Sequence, residues 1–113
     1  MTVYVDDMWR YPMGEYRGMR MSHMVADTEQ ELHEMADAIG IARKWYQGDH
    51  YDVSMTKRDE AIRRGAVPVP LRILARMCVH RRKTGILPSP DDMVPLNVKL
   101  AVQGRVVIRR SKT

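Results

Sequence analysis

The sequence predicts an α/β domain: a small three-layer arrangement with a short, mainly parallel sheet over residues 1–85, then a proline-containing linker and a basic β-hairpin extension over residues 86–113. Three observations lead there. Segments of strand composition alternate with segments of helical spacing, the order that joins parallel strands through crossover helices. The helical segments carry start and stop residues that delimit them. A chain of 113 residues, 44% apolar and 29% charged, suits one modest core and excludes a disordered protein.

TVYVD (2–6) is β-branched and aromatic, which predicts a first strand delivering Asp6 and Asp7 at its C-terminal end. Residues 8–24 hold Pro12, Gly14, Gly18 and five methionines with neither strand nor helix period, and read as a long loop. Thr28 and Glu31 form a capping box, Leu32, Met35, Ala36 and Ile39 recur at helical spacing, and Gly40 ends the first helix. IARKWYQ (41–47) is the expected second strand, with GDHYDV (48–53) the loop that leaves it. Ser54 caps a second helix that Gly65 stops, and AVPV (66–69) is a third strand that Pro68 confines to an edge.

Pro70 opens the third helix, whose apolar stripe is Leu71, Leu74, Ala75, Cys78 and Val79. Its last turn holds His80, Arg81, Arg82 and Lys83 before Gly85, a basic run that the helix dipole accounts for. After the linker, VKLAVQGRVVIRR (98–110) reads as the hairpin, turning at Gln103 and Gly104.

Charge is unevenly spread. Residues 1–69 hold nine Lys/Arg against twelve Asp/Glu, whereas residues 70–113 hold ten against only Asp91 and Asp92. A basic final third suits an anionic partner, nucleic acid through residues 81–113, or simply a solvated face. No apolar run is long enough to span a bilayer, so no membrane partner is expected. Early carboxylates interrupt the first twenty residues where a signal peptide needs an apolar segment, so the expected location is the cytoplasm. One cysteine, Cys78, excludes an internal disulfide and a cysteine-based zinc site. Assembly into a homo-oligomer stays open.

In parallel sheets ligands bind beyond the carboxyl ends of the strands. That rule gathers Asp6, Asp7, Ser22, His23, Asp27, Gln47, Asp49, His50, Tyr51 and Asp52. Asp6, Asp7, His23 and His50 are candidate ligands of a divalent metal ion, which would activate water or polarise a phosphoryl oxygen. Without metal, His50 or His23 would act as general base oriented by Asp52 or Asp27, which makes His50, His23 and Asp52 the catalytic candidates. A phosphate-containing ligand would meet the helix starts at Thr28 and Ser54, with Trp45 or Tyr46 stacking on a base and Ser22, Asp27, Gln47 and Tyr51 nearby. Asp6, Asp7 and Asp27 also have a plain reading as caps, Trp45 as core, and His33 as a surface partner of Asp37.

VYVDD (3–7), SHMVADT (22–28), ELH (31–33), DHYDV (49–53) and GAVPV (65–69), in that order, resemble an uncharacterised domain-of-unknown-function family of short bacterial and phage proteins. The resemblance covers about residues 1–70. It implies that His23, Asp27, His33, His50, Tyr51 and Asp52 occupy the family's motif positions and that the setting is a bacterial or phage-infected cell. It implies no mechanism.

The expectation is therefore a small hydrolase-like domain acting on a phosphate-containing, nucleotide-like substrate at a His/Asp site, with a divalent metal as the candidate cofactor. Two alternatives stand beside it: a non-catalytic phage-type protein that sequesters a nucleotide-like ligand, and a nucleic-acid-binding accessory protein that uses the basic C-terminal third.

Overall fold

In Tyr51–Ser54, Tyr51 and Val53 are buried on one side while Asp52 and Ser54 lie on the other, the alternation of a strand. The computed structural model, which describes residues 2–95, contains five strands and three α-helices. The strands are β1 (Val3–Val5), β2 (Glu15–Tyr16), β3 (Met19–Ala26), β4 (Tyr51–Ser54) and β5 (Val67–Pro68); the helices are α1 (Glu29–Ala38), α2 (Met55–Arg63) and α3 (Leu71–Thr84).

The α/β class holds and the layers are three. Leu32, Ala36 and Ile39 at α1, with Ala61 of α2, pack on Val3, Val5, Met24, Tyr51 and Val53 on one face of the sheet. Leu74 and Met77 of α3 cover Tyr4 and Val25 on the other. Each apolar set therefore lies on one side of its strand or helix, as burial against a single neighbour requires.

The sheet itself is mixed rather than mainly parallel. β3 runs antiparallel to β1, β2 and β4, and only the β1–β5 pair is parallel. The cause lies in residues 8–24, expected as a loop. After two turns of 3-10 helix, Met8–Arg10 and Pro12–Gly14, the chain makes a hairpin in which Arg17 and Gly18 take positive φ angles of 50° and 81°. Two left-handed residues form the tight turn that joins antiparallel strands, with no crossover helix between β1 and β3. The second strand is also displaced from its expected place. Residues 41–47 hold only a short 3-10 turn at Arg43–Trp45, and the strand is β4, built from the segment expected as a loop.

The helix signals hold. Thr28 Oγ1 accepts from Glu31 N at 3.2 Å, and Glu31 in turn accepts from the Thr28 hydroxyl at 3.0 Å. At the other end of α1, Gly40 N donates to Asp37 O and Ile41 N to Ala36 O, the paired bonds of a Schellman cap. His33 departs from its expected surface pair with Asp37. It is 9% exposed, Nδ1 lies 2.8 Å from the Tyr51 hydroxyl and Nε2 3.2 Å from Glu29, because its helix face points into β4.

Past Gly85 the chain turns back onto α3. Leu87 enters the core, and Arg76 donates to Met93 O at 3.1 Å. The hairpin expected over residues 98–110 lies outside the described residues. Among the described residues no helix is long and apolar enough to cross a membrane.

Candidate functional site

The strand register lines up a polar row. His23 on β3 faces Asp52 on β4, and one step beyond the Val5–Met24 pair Asp6 stands across from His23, its N–H donating to His23 O at 3.1 Å. Asp6, His23 and Asp52 thus cross three neighbouring strands on the face that carries α3. His50, two residues before Asp52, leans over the row with its ring centroid 5.1 Å from that of His23 and the rings at 73°.

Asp6 is fully buried and fully engaged. Oδ1 accepts from Met8 N at 3.1 Å and His23 N at 2.9 Å, and Oδ2 lies 2.7 Å from His23 Nδ1. A carboxylate cannot donate, so Nδ1 carries the proton in this bond, leaving Nε2 of His23 with a free lone pair. His50 repeats the arrangement, with Nδ1 2.7 Å from Asp49 Oδ1. Its Nε2 lies 3.5 Å from Asp52 Oδ1, an ion-pair distance rather than a hydrogen bond. Asp52 Oδ2 accepts from Gln47 Nε2 at 3.0 Å, while Oδ1 is buried without a hydrogen-bond partner.

Charge coupling follows. Asp52, with Asp49 adding to it, raises the pKa of His50 above the ordinary imidazole value against the opposing effect of burial. His50 holds Asp52 below the ordinary carboxylate value, again against burial and with help from Gln47. Burial pushes Asp49 upward, but His50 and Arg82 outweigh it and the carboxyl titrates low.

One donor atom from each of His23, His50 and Asp52 lies within 4.8 Å of the other two, a group of metal-binding size. Two imidazole nitrogens with one carboxylate oxygen suit divalent ions such as zinc, manganese or iron. Asp6 and Asp49 stand behind the two rings where supporting carboxylates orient metal-binding imidazoles. The side chains of His23, His50 and Asp52 are 31%, 22% and 34% exposed, so a bound ion would keep positions open to solvent.

Cavities flank the group on two sides. A cleft of about 200 Å³ runs from Asp6, His23 and His50 along Leu74 and Cys78 to Arg82. Burial raises the Cys78 thiol, which makes it a poor nucleophile. Arg82 reaches Asp49 Oδ2 at 3.2 Å, and Arg81 donates to Asp49 O at 3.2 Å and Ala26 O at 2.9 Å, tying α3 to the segment before β4. Beyond Asp52 lies a larger groove of about 650 Å³, lined by Met13, Tyr16, Met21, Trp45 and Lys57 among others.

The expected site residues divide accordingly. Asp6, His23, Gln47, His50 and Asp52 come together; Trp45, 57% exposed, and Ser54 line the larger groove. Asp7 stands apart, its Oδ1 accepting from Leu71 N at 2.7 Å at the start of α3. Asp27 accepts from Thr2 N at 2.9 Å at the far end of β3, because the antiparallel pairing carries that end away from Asp6. Ser22 is buried on the opposite side of β3 from His23 and accepts from Trp9 N at 3.2 Å. Tyr51 points to the α1 face and meets His33. Thr28 and Ser54 accept from the amides of Glu31 and Lys57, so both helix starts are already capped. Asp49 was gathered with the site from the sequence, but its bond to His50 was not legible there, nor were the contacts of Arg81 and Arg82, whose only trace is a basic run at a helix end.

Residues 3–81 match a family described as protein of unknown function (DUF4031). No curated protein and no solved structure matches the chain.

Proposed function

The chain belongs to the DUF4031 family of proteins of unknown function, and from the site it carries we propose that it is a small cytoplasmic metal-dependent hydrolase of a phosphate-containing, nucleotide-like substrate. One observation carries the reading: the convergence of His23, His50 and Asp52 within 4.8 Å. With Nδ1 of His50 donating to Asp49, Nε2 presents a lone pair to a carboxylate oxygen 3.5 Å away that has no hydrogen-bond partner. Two acceptors held that close call for a shared cation, either a proton or a metal ion.

Held by His23, His50 and Asp52, a divalent ion would leave room for a water and would lower that water's pKa toward neutral. Hydrolysis of the substrate would form a P–O bond to the oxygen of a water as the bond to the leaving oxygen breaks, with one proton of that water ending on the leaving oxygen. Arg82, at the far end of the smaller cleft, supports the anionic phosphate. The groove beyond Asp52, with Trp45 and Tyr16 on its walls, suits a planar base.

Manganese or zinc content after dialysis tests the first half. Wild-type protein should keep about one equivalent, and His50→Ala and Asp52→Asn should each keep none. Metal-dependent phosphate release from nucleoside phosphates, absent in His50→Ala, tests the second. Equal metal content in all three proteins would sink the metal reading. A nucleotide bound and recovered intact would turn the assignment to sequestration.

A further inference from the structure

α3 has the sequence LRILARMCVHRRKT, with five Arg/Lys and no carboxylate. Arg72, Arg76 and Lys83 are exposed along one face, with half-buried His80 between them, at steps of about one helical turn or 6 Å. Among the described residues none of these three cations has a carboxylate within ion-pair distance, whereas Arg82 on the adjoining face pairs with Asp49. Arg72 and Arg76 are like charges one turn apart, which destabilises a helix, and Lys83 stands two turns beyond Arg76, so a bound anion relieves repulsion along the stripe.

The stripe borders a groove of about 400 Å³ with an apolar floor of Ala75, Val79 and Met93. Ala75 and Val79 also line the smaller cleft of the candidate site, so one helix separates the cationic groove from His23 and His50 and shares its residues with both.

We propose that this face of α3 docks the phosphate backbone of a nucleic acid, so that a phosphodiester is the group presented to the candidate site. The assignment of a scissile phosphodiester rests on the hydrolase reading above; the docking does not. A row of cations along a groove, Arg72, Arg76 and Lys83, fits the repeating phosphates of a nucleic acid better than a membrane surface. A helix that lies on lipid needs bulky apolar residues to insert. Here Leu74 and Met77 are 2% and 0% exposed within the core, leaving small Ala75 and Val79 outward.

Fluorescence anisotropy with a labelled oligonucleotide, single-stranded and duplex, tests the docking on the full chain. Measured in EDTA, it needs no metal, so it succeeds or fails independently of the hydrolase reading. The wild-type protein should bind, with affinity falling linearly on a log-log plot against salt. Arg72→Ala with Arg76→Ala should weaken binding and, on a single strand, make that slope shallower by about 1.4. Arg72→Gln with Lys83→Gln should act in the same direction, and it spares the bond from Arg76 to Met93. Oligonucleotide affinity equal in both double variants and the wild type overturns the proposal, as does binding confined to phosphatidylserine vesicles. With metal restored, an oligonucleotide left whole while mononucleotides are turned over overturns the phosphodiester assignment.

Discussion

Asp6 and Asp7 are neighbours with separate tasks. The sequence groups both with the metal ligands, but Asp6 spends its oxygens on Met8 and His23, and Asp7 accepts from the first amide of α3. Asp6→Asn leaves one acceptor oxygen and puts an NH2 in place of the other, so it cannot accept both from the amides of Met8 and His23 and from His23 Nδ1, and His23 loses its orientation. Metal affinity by titration calorimetry should fall about 10- to 100-fold while one ion still binds. Asp7→Ala should leave that affinity alone and instead lower stability by about 0.5 to 2 kcal/mol in urea unfolding, the usual cost of removing the acceptor at a helix start. Equal affinity loss in the two variants would refute the division. His23, His50 and Asp52 were legible as imidazoles and a carboxylate in segments expected to converge beyond the strand ends. What each one bonds was not, because that depends on register between strands far apart in the chain.

At the scale of elements, β3 is the instructive case. Buried on both faces at its C-terminal end, MRMSHMVA shows no clean alternation, and its methionines, Ser22 and His23 mask the strand. The helices, marked by local caps, were legible from single residues such as Thr28, Ser54 and Gly40. Gly14 belongs to the unreadable part: a Cβ there would run into the Met8 carbonyl oxygen and lie 2.9 Å from Met21 O. Those are backbone atoms, so nothing can turn aside. Gly14→Ala should lower stability by roughly 1 to 3 kcal/mol in urea unfolding. It should also weaken nucleotide binding, because Met8, Gly14 and Met21 form one wall of the larger groove. An unchanged midpoint would show that the two turns before β2 relax more freely than their packing suggests.

For the whole molecule, the α/β class and the three layers were legible in the order of segments. The direction of the strands was not, since one two-residue turn at Arg17 and Gly18 reverses what the segment order implies. The charge coupling of the site sets how stability follows pH. The pKa of His50 is raised from 6.5, so its contribution is complete below that value and is lost as pH rises through the raised one. Asp49 and Asp52 are lowered from 3.8, so theirs is present above that value and lost as pH falls through the lowered ones. Metal-free protein should therefore melt highest between these limits, with modest amplitude because the groups are partly exposed. A metal ion needs His50 without its proton, so the rise in Tm produced by manganese should grow as pH climbs through the His50 transition. Differential scanning fluorimetry across that range checks both slopes, and a manganese increment that shrinks with rising pH would contradict the shared-cation account. The polar row across β1, β3 and β4 has one more consequence, in the order of synthesis. Every candidate ligand and its supporting carboxylate, from Asp6 to Asp52, precedes α3 in the chain and so emerges from the ribosome ahead of it. On the metal reading, an ion could thus meet the polar row on an open sheet face, before the helix that walls the cleft packs over it.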